Sequence, residues 1–209
     1  MLKIKPIEVN RDNILQLAER NLMQNNEEAA IRHYLQFLSF KKPHHHKYLA
    51  YYNLGNLYIK SGNLEGGLDL LQKSIREKPD FIQSYLLIGN HLSEIQQFSQ
   101  AYDYYKEAVK LEPNSLPANI GIANVCMFLD KESDALPYFK KCIELDPKNN
   151  FLLDRVALAY FLAGELTSAL DYQLKALALE ESPEGLFNLA EIYKKQNRLD
   201  ASLDIFLSY

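Results

Sequence analysis

The sequence has no tryptophan, only two cysteines, and few residues that break helices, with 8 glycines and 8 prolines among 209 residues. Two cysteines, Cys126 and Cys142, are too few for the disulfide framework that holds small secreted domains together. The scarcity of glycine and proline argues against a loop-rich or all-β chain, since turns between strands depend on these residues. The two thiols fall at packing positions, where free cysteine behaves as a small hydrophobic residue.

An excess of positive charge and a long apolar run are also missing. The formal net charge is −4 and the isoelectric point is near 5.8, whereas nucleic-acid binding needs a basic face, so we predict no nucleic-acid partner. The longest uncharged apolar stretch covers 156–164, far short of the roughly 20 residues that cross a bilayer. The first residues contain no apolar core of a signal peptide. We therefore expect no membrane span and a cytoplasmic location.

Catalytic motifs are absent from the sequence. There is no glycine-rich phosphate loop, no G-x-S-x-G and no H-E-x-x-H. His44, His45 and His46 are the one tempting metal signal, but adjacent residues in a loop rarely converge on one tetrahedral ion. We predict no enzyme activity, no cofactor and no metal site.

A repeat organises nearly the whole sequence. An aliphatic residue followed by a small one recurs with spacings of 34, 34, 34 and 33 residues. The pairs are Leu54-Gly55, Ile88-Gly89, Ile122-Ala123, Val156-Ala157 and Leu189-Ala190. A fainter first copy has Leu17-Ala18, 37 residues before Leu54-Gly55, which makes six copies.

Each copy is predicted to form two helices. Apolar residues recur at helical spacing in the first helix, as at Tyr51, Leu54 and Tyr58, and a short polar break follows at 61–63. The second helix has its own stripe, as at Ala101, Tyr105 and Ala108. Pro79, Pro113 and Pro147 end the second helices, since proline cannot continue a helix.

These residues resemble the tetratricopeptide repeat (TPR). The third copy carries its pattern with Tyr85, Ile88, Gly89, Ala101, Tyr105, Ala108 and Pro113. The resemblance implies an all-α fold, a right-handed α-α superhelix of about six helix-turn-helix repeats. After a lead-in at 1–10, the repeats are expected at 11–44, 48–81, 82–115, 116–149, 150–182 and, incompletely, 183–209. Gln173 and Asn119 depart from the pattern, at an aromatic and a bulky position.

Small residues are expected where the two helices of a copy come closest. Gly55, Gly89, Ala123, Ala157 and Ala190 occupy this position in the first helices. A larger side chain there would overpack the contact.

The resemblance also implies that the first helices line a concave groove. Asn56, Asn90 and Asn124 recur at intervals of 34 residues at inward-facing positions. A side-chain amide both donates and accepts hydrogen bonds, so such a ladder can hold a peptide backbone regardless of its sequence. The alternative is that asparagine is simply tolerated on an exposed face, and Leu158 and Glu191 interrupt the series.

Apolar residues at or near groove positions form a second candidate surface. The predicted ligand contacts are Tyr52, Leu86, Ile120, Met127, Phe151 and Phe161. Exposed apolar residues in one patch usually mark an interaction surface, although neighbouring copies could instead cover them. The carboxylate-clamp subclass, which grips chaperone tails, is a poor match. Only Asn90 and Arg155 fit its pattern, and Leu86, Gly121 and Phe151 stand at the other positions.

The sequence therefore predicts a protein-interaction scaffold that binds a peptide or helix in the groove. One alternative is the recognition arm of a larger enzyme, such as a glycosyltransferase. Another is a structural module that self-associates through its last copy, which stops partway along its second helix with Ile205, Phe206 and Leu207 near the end. A missing polar cap there leads us to expect further sequence, a partner or a second chain covering that end.

Overall fold

The computed structural model describes residues 11–40 and 44–208, although not the side chain of Ser208, so the predicted lead-in at 1–10 and Tyr209 lie outside the described residues. The described residues form twelve helices and no strand. They are α1 (Arg11–Met23), α2 (Glu27–Ser39), α3 (Lys47–Lys60), α4 (Leu64–Glu77), α5 (Ile82–Glu94), α6 (Phe98–Leu111), α7 (Leu116–Phe128), α8 (Glu132–Leu145), α9 (Asn150–Leu162), α10 (Leu166–Leu179), α11 (Pro183–Lys195) and α12 (Leu199–Ser208).

Helix starts follow from capping side chains in the sequence. The side-chain oxygens of Asn63 and Ser182 accept hydrogen bonds from the backbone N–H of Gly66 and Gly185, which begins α4 and α11. The same kind of cap begins α7 at Ser115 and α9 at Asn149. These caps satisfy amide groups that a helix leaves without an internal partner.

The turn inside each helix pair contains one residue in the left-handed backbone region. The six residues are Asn25, Gly62, Gln96, Asp130, Gly164 and Asn197, with φ between 55° and 88°. They recur at the repeat spacing, and only two of them are glycine. A side chain with a Cβ is strained in this region, least so for Asn and Asp.

The chain divides into two compact units, Met1–Ile88 and Gly89–Tyr209, with the boundary inside α5. In the first unit, α2 packs against both α1 and α3, and α3 packs against α4. Its buried core includes Ile14, Leu15, Ala18, Ala30, Tyr34, Phe37, Ala50, Leu54 and Leu57.

In the second unit, each helix from α6 to α12 packs against the next, and α9 also touches α11. Small and large residues alternate in its core, as the repeat pattern predicts. The fully buried positions include Ala101, Ala108, Ile122, Ala123, Phe139, Val156, Ala157, Ala169 and Ala190.

The small residues of the first helices make close contacts, but the neighbour differs between repeats. A Cβ on Gly55 would lie 3.0 Å from the backbone oxygen of Gly67, so the helix backbones themselves meet there. At Gly89 a Cβ would instead lie 2.9 Å from Cε1 of Tyr105. The aromatic ring of the second helix therefore fills the space in that repeat.

Among the described residues, every helix is too short or too polar to cross a bilayer.

Candidate functional site

A cavity opens on the second unit between α9, α10 and α11. Its volume is about 210 Å³, and its lining is mainly apolar. The lining residues are Ala157, Leu158, Phe161, Gln173, Phe187, Asn188, Glu191 and Ile192. A cavity of about 150 Å³ holds a benzene molecule, so this one has room for a large apolar side chain.

Gln173 lies on the floor of this cavity, at the position where the two preceding repeats place aromatic rings, Tyr105 and Phe139. It is fully buried, and its Nε2 donates a hydrogen bond of 2.7 Å to Oδ1 of Asp154. The departure from the repeat pattern at Gln173 is therefore accommodated by a polar partner. Burial raises the pKa of the Asp154 carboxyl, while the hydrogen bond from Gln173 acts in the opposite direction.

A smaller cavity of about 90 Å³ adjoins the first and shares Leu158 and Asn188 with it. Its other lining residues are Phe151, Asp154, Arg155 and Glu184. The guanidinium carbon of Arg155 lies 5.1 Å from the centre of the Phe151 ring. We call the two cavities together the α9–α11 groove.

The structure places two of the predicted contact residues in this groove. Phe161 lines the larger cavity, and Phe151, which is 51% exposed, lines the smaller one. Ile120 and Met127 lie half-buried on α7, outside both cavities. Phe128, near Met127, is exposed and stacks on Phe98 with ring centres 4.7 Å apart.

The asparagines of the predicted ladder differ in their surroundings. Asn90 is exposed, and its Oδ1 accepts a hydrogen bond of 2.7 Å from the Tyr105 hydroxyl, which leaves its Nδ2 as the group available to a ligand. Asn124 occupies the same register on α7, in the same unit. Asn56 lies half-buried on α3 in the first unit.

Two predicted contact residues belong to the first unit. The Tyr52 ring packs edge-on against Phe81 with centres 5.3 Å apart, and burial raises the pKa of its hydroxyl. Leu86 is half-buried on α5.

The groove contains residues that the sequence analysis did not select, among them Asp154, Glu184, Phe187 and Asn188. A signal for two of them was present, because the register of Tyr52, Leu86 and Ile120 continues to Asp154 and then to Phe187. No sequence signal marks Asn188, which shares the register of Gly121 and Arg155.

The histidines and cysteines noted in the sequence lie outside the α9–α11 groove. His44 Nε2 lies 2.8 Å from Oδ1 of Asp12, and the ring of His44 stacks on that of His45. In the described part of the chain, no three His, Cys, Asp or Glu side chains are grouped to hold a metal ion. Cys126 and Cys142 are buried free thiols, and burial raises the pKa of each to about 11.

The sequence of the central repeats matches a family model. Residues 48–81, 82–115 and 116–149 each match the tetratricopeptide repeat. Residues 48–149 of the chain are therefore three tetratricopeptide repeats. The predicted all-α solenoid of helix pairs is confirmed, and the tetratricopeptide repeat is a protein-interaction module.

Solved tetratricopeptide repeat structures share this fold. YrrB, a TPR protein with an unusual peptide-binding site, is 20% identical with a TM-score of 0.73, over 84% of this chain and 89% of that one. MamA from Desulfovibrio magneticus RS-1, from residue 41 to its end, is 19% identical with a TM-score of 0.72, over 78% and 92%. A further MamA structure is 20% identical with a TM-score of 0.72, over 82% and 92%. No curated protein matches the sequence.

Proposed function

We propose that this chain is a binding scaffold that holds a peptide segment of another protein on the face of its first helices, with the α9–α11 groove as the anchoring site. The observation that carries the proposal is an open apolar cavity on this face, lined by Leu158, Phe161 and Phe187. Phe187 is 55% exposed, although burying an aromatic ring is strongly favourable. Concave apolar cavities with a few polar groups at the rim are the usual form of a binding site.

Two features support a peptide as the ligand. Asn90 and Asn124 share one register on α5 and α7, and side-chain amides pair well with backbone amides and carbonyls. Asn188 on α11 places another amide beside the apolar cavity. YrrB, with a similar fold, is itself described as having a peptide-binding site. Nothing in this arrangement requires the chain to catalyse a reaction.

Selection from a library of random twelve-residue peptides on the whole chain tests the proposal. Binding of the selected peptides is then measured by fluorescence anisotropy on wild type, Leu158→Asp and Leu174→Asp. Leu158 lines both cavities, whereas Leu174 is an exposed leucine of α10 that lines neither. We expect Leu158→Asp to weaken binding at least about tenfold, a loss of about 1.4 kcal/mol, and Leu174→Asp to bind like wild type.

Circular dichroism and urea unfolding establish first that the three proteins are equally folded. Equal affinity of all three for the selected peptides would contradict the groove as the binding site. The Asn90→Ala, Asn124→Ala double variant extends the test to the ladder. The loss of one hydrogen bond is worth about 0.5–1.5 kcal/mol, so about a twofold to tenfold weaker affinity is expected for each asparagine that contacts the peptide.

Self-association is a second candidate, favoured by the exposed face of α12. Leu199, Leu203 and Leu207 are exposed there, Leu207 by 76%. A cavity of about 240 Å³ lies between α11 and α12, lined on α12 by Ile205 and Phe206. Large exposed apolar patches often mark protein interfaces. Sedimentation velocity over a wide concentration range tests this role, with Leu203→Glu expected to shift an oligomer to monomer. A monomer at every concentration would contradict it.

A further inference from the structure

Carboxylates line both cavities of the α9–α11 groove. Asp154 and Glu184 line the smaller cavity, and Glu191 lines the larger one. The two cavities meet at Leu158 and Asn188, so a ligand that fills both has its apolar and polar contacts side by side. The chemistry of the small cavity therefore bears on which peptides can bind.

The carboxylates of Asp154 and Glu184 lack a cationic partner within the described residues. Among the ion pairs of residues 11–40 and 44–208, none includes either carboxylate. The hydrogen bond that Asp154 accepts comes from the neutral amide of Gln173. Burial, together with the nearby Glu184 and Glu180, raises the pKa of the Asp154 carboxyl, so ionised Asp154 is held at a cost.

Two cationic side chains, Arg155 and Lys194, lie near these carboxylates, but each contacts another group. The Arg155 guanidinium lies over the Phe151 ring at the wall of the small cavity. Lys194 Nζ donates to Glu191 at 3.0 Å, which occupies that carboxylate. The two carboxylates of the small cavity thus outnumber its single arginine, and its formal charge is negative. A cation brought by a ligand would gain from a half-buried, uncompensated carboxylate, where attraction is stronger than at an exposed surface.

We propose that the groove selects basic-apolar peptides: a bulky apolar side chain fills the larger cavity, and a lysine or arginine of the same segment pairs with Asp154 and Glu184. This inference rests on the proposed peptide-binding function and specifies the ligand of the same groove. Because the two cavities adjoin, the basic residue lies within about three residues of the apolar one, at roughly 3.3 Å per residue of extended chain. The preference is opposite in sign to that of a carboxylate clamp, in which lysine and arginine of the repeats grip an acidic tail.

Peptide selection on the whole chain tests this preference. A random twelve-residue phage library is selected in parallel on wild type and on Leu158→Asn, which makes both cavities more polar without adding a charge, and sequences recovered only by wild type are groove-dependent. We expect these to be enriched in Lys or Arg within about three residues of Phe, Leu, Met or Tyr. Groove-dependent sequences without this enrichment would overturn the inference while supporting the proposed function.

Affinities of a selected peptide then identify the groups that read the charge. Replacing its basic residue by norleucine is expected to weaken binding about tenfold to wild type and less than about twofold to the Asp154→Asn, Glu184→Gln double variant. These substitutions keep the size of each side chain, and the amide oxygen that replaces the Asp154 carboxylate can still accept from Gln173. Glu107→Gln, which removes an exposed charge on α6, is the control and should retain the wild-type preference.

The other outcomes of these two experiments separate a failure of the charge preference from a failure of the proposed function. An equal loss in wild type and the double variant would show that other groups read the charge, and would overturn the inference alone. Failure to recover any groove-dependent sequence would contradict the proposed function, and the inference with it. Salt adds a check, because a charge-based preference weakens between about 50 mM and 300 mM NaCl if the pair is accessible to solvent.

Discussion

The amide of Gln173 and the carboxylate of Asp154 are joined by a hydrogen bond of 2.7 Å across the floor of the α9–α11 groove. Gln173 is 1% exposed, in a position that aromatic rings occupy in the two preceding repeats. One polar substitution in the repeat pattern thus does two things. It leaves out a ring beside the larger cavity, and it supports a half-buried carboxylate in the smaller one.

Gln173→Leu removes this hydrogen bond and replaces the buried amide by an apolar side chain of similar volume. Asp154 loses its only protein hydrogen bond among those found in the described residues, and an unsatisfied, partly buried acceptor costs about 1–3 kcal/mol. We expect the free energy of unfolding to fall by about this amount, measured by urea denaturation. In the Asp154→Ala background the same change should cost clearly less, and an equal cost in both backgrounds would contradict the coupling.

The stability contributed by Asp154 should depend on pH in a defined direction. Its pKa in the folded protein is raised above the ordinary 3.8, so the folded state holds the proton more tightly than the unfolded state. Stability from this group is therefore full below 3.8 and is lost as pH rises through the folded pKa. Asp154→Asn cannot ionise, so its stability relative to wild type should increase across that interval and then level off.

Urea denaturation of wild type and Asp154→Asn at a series of pH values from about 3.5 to about 7 measures this difference. Other carboxyl groups titrate in both proteins, and their contributions cancel when the two are subtracted. If the difference stays constant with pH, or changes in the opposite direction, burial does not raise the pKa of Asp154 in the folded protein.

Gly121 is a position where alanine should be harmful, although alanine normally favours a helix. A Cβ there would lie 2.3 Å from Cε1 of Tyr105, whose ring also packs on Gly89 and whose hydroxyl is tied to Asn90. Overpacking of this kind costs about 1–3 kcal/mol, so we expect Gly121→Ala to lower the urea midpoint.

The Tyr105→Leu background is the matched control for Gly121→Ala. Leu71 stands at the same register in the second repeat, so leucine is compatible with the repeat. Without the ring, Gly121→Ala should be neutral or stabilising by up to about 1 kcal/mol from helix propensity. The same destabilisation in both backgrounds would rule out the Tyr105 ring as its cause.

Gln96 offers a stabilising substitution. Its φ of 61° is in the left-handed region, and its long side chain lacks the local hydrogen bonds that make asparagine and aspartate tolerable there. Gln96→Gly relieves this strain, and we expect a gain of about 0.5–1 kcal/mol in thermal or urea unfolding, after the larger entropy of glycine in the unfolded chain is subtracted. Gly62→Ala, at the same turn of an earlier repeat, should lose stability, and the reverse order would contradict the argument.

The repeat spacing was sufficient to predict the helix pairs and most of the core, because small and large residues recur in phase and each fills an equivalent space. It also predicted ligand contacts at Phe151 and Phe161, and both residues line the α9–α11 groove. The α9–α11 groove could not be derived in this way. The shape of the groove depends on the space that Gln173 leaves where other repeats have a ring, and on the hydrogen bond from Gln173 to Asp154. These two residues lie on different helices, so a periodicity within one helix does not connect them.

Gly121 illustrates the same limit from the other side. In the sequence it counted only as a missing clamp residue, and its packing against Tyr105 emerges from three-dimensional contacts alone. Asn119, a departure at a bulky position, is buried and donates to the backbone oxygens of Pro113 and Ser115, which a periodicity argument cannot foresee.

The six left-handed turn residues give the chain a set of adjustable positions that are independent of ligand recognition. Each sits in a separate turn, none lines the α9–α11 groove, and four of the six are not glycine. In a repeat array whose stability is a sum over neighbours, changes at distant turns should add. Substitutions at the turn residues alone should therefore raise the thermal stability one repeat at a time, without changing the ligand specificity of the groove.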